Sequence, residues 1–140
     1  MILDDLATVL QTAGVGTIGV SLFKGGVPLD NPLTGVQDTL VALIEVPGLP
    51  PVHVHTMQAA TYEQPVVQIV TRGIPYGYAA ARTLAQKAFN ALDGLANAEH
   101  SDGTVYLWVQ ALQSPFFLRW DELARPLIGF NIRCAKSISL

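Results

Sequence analysis

The chain has 140 residues, of which half are hydrophobic and 14% charged, with a net charge of −3 and one cysteine. That length suits one domain around one core, and a lone cysteine excludes both an internal disulfide and a thiolate metal cluster. The charge content is low for a monomer that faces water on all sides, so loops or other subunits are expected to cover part of its apolar surface.

The first predicted element is a helix near the N-terminus. Leu3, Leu6, Leu10 and Ala13 share a stripe, Asp4 and Asp5 sit in the first turn at the positive end of the helix dipole, and Gly14 and Gly16 end it. A short strand from Ile18 to Phe23 follows, then a loop from Lys24 to Asp38 containing Gly25-Gly26, Pro28, Pro32 and Gly35. Thr39 to Val46 is almost continuously apolar, which predicts a strand covered on both faces and central in its sheet. Pro47 to Thr61 is a long connection with three prolines and with Val54 and Met57 among its apolar residues. It reads either as an arm that packs against a partner or as a mobile hairpin.

Tyr62 to Arg72 predicts a strand with Val66, Gln68, Val70 and Arg72 on one face and Val67, Ile69 and Thr71 on the other. Gly73-Ile74-Pro75 then turns the chain into a long amphipathic helix, with Pro75 suited to its first turn and Gly94 to a left-handed stop. Leu84, Ala85, Ala88, Phe89, Leu92 and Leu95 form the helix's apolar side. Ala96 to Gly103 reads as a turn, Thr104 to Gln113 as a long strand, and Ser114 to Glu122 as a polar-aromatic excursion. In the last strand Ile128, Phe130, Ile132 and Cys134 share a face. The order α-β-β-β-α-β-β predicts a single α+β domain over residues 1–140. Its mixed, mostly antiparallel sheet of about four to five strands carries two helices on one face, with long loops at 24–38, 47–61 and 114–124.

Chemistry is sparse. His53 and His55 lack further ligands for a metal, and the neighbours in Asp4-Asp5 and Asp121-Glu122 point apart, so neither pair forms an acid/base dyad. There is no phosphate loop and no nucleophile elbow, and Cys134 in its apolar strand reads as an inert core thiol. No catalytic, cofactor-binding or metal-binding set is predicted, and the chain reads as a non-enzyme. No apolar run approaches the roughly 18 residues of a membrane span, and the start lacks a basic n-region, so neither a membrane nor export is expected. Met1 to Thr71 carries one base against six acids and nets −5, whereas Arg72 to Leu140 carries seven bases against five acids and nets +2. Such a bias either favours head-to-tail contact between copies or is simply solvated. Phe116, Phe117 and Trp120 flank Arg119, the composition of an interface hot spot. The other reading is that Phe117 and Trp120 fold back to cap the end of the sheet.

Four stretches taken together carry a resemblance: Leu6-Ala7-Thr8-Val9-Leu10-Gln11-Thr12-Ala13-Gly14-Val15-Gly16-Thr17; Val41-Ala42-Leu43 with Pro47-Gly48; Tyr62-Glu63-Gln64-Pro65-Val66-Val67-Gln68-Ile69 with Arg72-Gly73; and Ala111-Leu112-Gln113-Ser114-Pro115-Phe116 followed by Asp121-Glu122. In this order, over nearly the whole chain, they resemble the minor capsid or tail-terminator family of long-tailed bacteriophages. The resemblance implies a small α+β subunit that forms a ring, commonly of six copies, on the last ring of the tail tube. There it would stop tube polymerisation and offer the docking surface for the head connector. Implied partners are further copies of itself, the tail-tube protein and the head–tail connector or stopper, with DNA passing through the lumen without specific binding and with no cofactor. The implied location is the tail–neck region of the virion, after assembly in the host bacterial cytoplasm. Candidate interface residues are Phe116 and Trp120 as anchors, Arg119 and Arg125 in subunit or connector contacts, and Val54 and Met57 in the arm. The alternative is a head-completion or stopper protein on the portal side, and more distantly a small ligand-binding or enzymatic α+β protein.

Overall fold

The computed structural model describes residues 2–28, 36–53, 60–99 and 105–137. Helix α1 (Ile2–Thr12) buries Ile2, Leu3, Leu6, Ala7 and Leu10, the stripe that a 3.6-residue period selects. Asp5, in its first turn, is buried as well and accepts a hydrogen bond from the Tyr106 hydroxyl at 2.5 Å. Helix α2 (Tyr78–Leu92) buries Ala81, Ala85, Ala88 and Leu92. The strands are β1 (Leu22–Lys24), β2 (Leu40–His53), β3 (Ala60–Arg72), β4 (Ala96–Glu99), β5 (Val105–Ala111), β6 (Phe116–Trp120) and β7 (Pro126–Ser137).

These strands form one sheet in the order β1-β2-β3-β7-β5-β4, and β6 joins the edge of β7. Only β1 and β2 run parallel. Because side chains alternate along a strand, Val41, Leu43, Val67, Ile69, Phe130, Ile132 and Cys134 all point to one face. Both helices close over that face and make one core with it. Phe89 of α2 meets Phe130 edge-on, with centroids 5.6 Å apart. Cys134 lies in the same core, and burial pushes its thiol up to about 12.

The α+β class, the mostly antiparallel sheet and the two helices on one face agree with the sequence reading, while the strands among the described residues number seven rather than four or five. β2 stands second from the edge, and β3 and β7 hold the middle. The continuous apolar run in β2 reflects burial of Leu40, Val41, Ala42 and Leu43 on both sides, which does not require a central place. Beyond Val46, β2 continues through Pro47 and Pro50 to His53, pairing irregularly with β3, so the expected loop is in large part a hairpin arm. β1 pairs only with Val41 to Leu43, and the outer side of β2 beyond them is an edge among the described residues, where the missing N–H of a proline breaks no ladder.

Pro75 precedes α2 rather than opening it. A turn closed by Gly77 N–H donating to Ile74 O lies between, and the first helical bond runs from Ala81 N–H to Gly77 O. Gly94 has the left-handed φ of +85° expected of a stop. Ala96 to Glu99, predicted as a turn, pairs with β5 as β4: Ala96 lies opposite Trp108. Partnership rather than propensity makes it a strand. Asp102-Gly103 lies outside the described residues.

Candidate assembly interface

The polar-aromatic excursion contains strand β6, and β7 explains why. β5 covers β7 from Ile132 to Lys136, leaving the stretch from Pro126 to Gly129 to be paired by β6 on the same side. The chain steps from one to the other at Leu112 and Gln113. There Leu112 N–H donates to Asn131 O, and the Gln113 side-chain oxygen accepts Asn131 N–H, both at 2.8 Å, so a side chain replaces one rung of the ladder. Phe116 then lies opposite Gly129, where an added Cβ would press on Leu118 and on Ile69 O.

The turn from β6 into β7 is built around Asp121. One carboxylate oxygen accepts the N–H groups of Leu123 and Arg125, both at 2.9 Å, and the other accepts Arg125 Nε at 2.7 Å. Arg125 Nη1 also reaches Asp38 at 3.0 Å. Burial raises the Asp121 carboxyl, but these donors outweigh it and hold the group below its ordinary 3.8. Beside this turn, Arg72 is buried and donates to the backbone oxygens of Asp38 and Gln37.

The turn between β3 and α2 docks on this frame. Gly73 N–H donates to Pro126 O and Tyr76 N–H to Ala124 O. At Gly73 a Cβ would lie 2.9 Å from Ala81 Cβ, so the close approach needs glycine. Tyr76 and Ala124, which meet in the second bond, are the two non-glycine residues with positive φ among the described residues, +59° and +57°. For a residue as bulky as tyrosine this is a strained conformation that its surroundings must hold.

The result is an aromatic platform. Tyr76 lies 6.4 Å from Trp120, Trp120 5.6 Å from Phe117, and Phe117 5.9 Å from Tyr78, centroid to centroid. Tyr76 is 82% exposed and Trp120 46%, while Phe116, paired with Gly129 next to the Phe117–Ile128 pair, is exposed on the opposite face of β6. Exposed aromatic surface of this kind makes the platform a candidate contact site.

Of the residues picked out by sequence, Phe116, Arg119 and Trp120 stand exposed on β6. Arg125 is elsewhere in character: it is 3% exposed, and its guanidinium is committed to Asp121 and Asp38 within the chain. Val54 and Met57 lie outside the described residues, as does His55. Tyr76 and Tyr78 were not picked out, although two tyrosines flanking a glycine in a turn were a signal that could have found them. Among the described residues there is no group of acidic, histidine or cysteine side chains fit to hold a metal, and no helix is long and apolar enough to cross a membrane.

A chain in a solved structure titled "Virion of native gene transfer agent (GTA) particle" has the same fold, with a TM-score of 0.57 at 17% identity, over 95% of this chain and 84% of that one. No curated protein matches the sequence significantly. The profile of the family described as "Bacteriophage tail terminator protein" matches residues 9–138. That family is one of structural virion proteins, not of enzymes. The chain belongs to the bacteriophage tail terminator protein family.

Proposed function

We propose that this protein forms a ring, of six copies, on the last ring of the tail tube, stops tube growth there and presents the surface on which the head connector docks. The observation that carries this reading is the aromatic platform: Tyr76, Tyr78, Phe117 and Trp120 are fixed by the hydrogen-bonded turns below them yet left exposed by their own chain. The low charge content and the opposite charge bias of the two halves also suit a subunit that spends its working life against copies of itself. The ring lumen would pass DNA without reading its sequence, and the protein would act in the tail–neck region of the virion after assembly in the bacterial cytoplasm.

Light scattering across a concentration series, alone and with tail-tube protein, tests this. The expected result is a species near six times 15.0 kDa, together with tubes of limited length when the protein is present during polymerisation. A chain that stays monomeric in both conditions and leaves tube length unchanged would overturn the proposal.

A further inference from the structure

Left-handed backbone is where a chain ordinarily places glycine, because a Cβ there crowds the neighbouring carbonyl. This chain follows that rule at five described glycines and departs from it twice, at Tyr76 and Ala124. The two exceptions meet. Tyr76 N–H donates to Ala124 O at 2.9 Å, so a single hydrogen bond joins two strained residues. Ala124 is the smaller of the two and has a built support: its own N–H donates to Asp121 O at 3.0 Å, inside the turn that Asp121 and Arg125 hold together.

Tyr76 has no such compensation within its own chain. Its ring is 82% exposed and lies 6.4 Å from Trp120 at a tilt of 47°, a contact that buries little of it. The bond to Ala124 uses only backbone, so a glycine at this position would keep the bond and remove the strain. The chain has glycine nearby on both sides, at Gly73 and Gly77, and a tyrosine between them. What glycine would not supply is the exposed ring. A strained conformation that the fold maintains without a gain in packing points to function, at some expense of stability.

We infer that Tyr76 is held left-handed for ring assembly: its exposed ring is a contact that assembly needs, and the bond to Ala124 keeps that ring presented. This rests on the ring reading above and adds to it a residue whose identity folding stability opposes.

Substitution separates strain from assembly. Tyr76→Gly is expected to hold or raise Tm, by up to about 4 °C, because it removes strain and little burial. In the same protein self-association is expected to fall about tenfold or more, both in solution and on tail-tube protein. Ala124→Gly eases the other strained residue without removing a ring, so it should hold or raise Tm and leave association within about twofold of wild type. Tyr76→Phe keeps the ring and should match the wild type in both measurements. A ring that served only the fold would give the reverse pattern. A fall in Tm of Tyr76→Gly protein would therefore overturn the inference, as would unchanged association in it, or an equal loss of association in Ala124→Gly protein. If wild-type and Tyr76→Gly proteins form rings and limit tube length equally well, the role of Tyr76 falls while the tail-terminator reading stands. If wild-type protein does neither, both fall.

Discussion

Two pairs of aromatic rings in this molecule share one geometry and differ in everything around it. Phe89 and Phe130 meet at 5.6 Å between α2 and β7, where Phe130 is fully buried, and Phe117 and Trp120 meet at the same 5.6 Å on β6, where Trp120 is 46% exposed. The first pair completes a core that the chain closes by itself. The second rests on a hydrogen-bonded turn and packs on Tyr76 and Tyr78, yet stays 39% and 46% exposed. The difference teaches that rigidity here serves two ends, stability on the helical face and readiness for contact at the platform.

If so, mutations at the two pairs separate folding from assembly. Phe130→Ala should cost the most stability, about 3–5 kcal/mol by thermal or denaturant unfolding, through the lost transfer energy and the cavity left behind. Arg125→Ala comes next at about 3 kcal/mol, since it leaves Asp121 partly buried beside an empty guanidinium site and loosens the turn under the platform. The same turn has a pH signature. The folded Asp121 carboxyl is held below the unfolded value of 3.8, so its contribution is complete above that pH and is lost as pH falls through the folded value. Asp121→Asn should therefore flatten the acid limb of the stability curve below about pH 4. Tyr106→Phe should cost about 1–2 kcal/mol, because it withdraws the hydroxyl from the buried Asp5 carboxylate. The combined change of Phe116 and Trp120 to Ala should cost the least, less than about 1 kcal/mol, while abolishing ring formation and tail joining. A double variant that still assembles would remove these two residues as anchors and end the contrast between the two pairs.

Much of the fold was legible because its signals are local. The Leu3-Leu6-Leu10 stripe, the alternation in β3 and the apolar side of α2 with Gly94 after it each depend on a few neighbouring residues. What escaped depends on partners distant in sequence. β4 and β6 are strands because β5 and β7 offer them edges, and Phe116-Phe117-Leu118-Arg119-Trp120 alternates too little to announce itself. The strand character of the arm, though not the arm itself, was hidden by prolines that argue against a strand interior and are tolerated on an edge. The candidate site was half legible. Its β6 aromatics stood out by composition, but Tyr76 joins them through a left-handed backbone and a bond to Ala124 O that no pattern in the sequence reveals.

Cys134 carries a last consequence. A phage particle outlives the reducing cell that made it and persists in air and water, where a reactive sulfur would be a slow hazard. With its thiol sealed under two helices and pushed up to about 12, the protein's only cysteine stays protonated and out of reach at any pH the particle meets. A virion protein so built can age outdoors without its one thiol cross-linking it by chance.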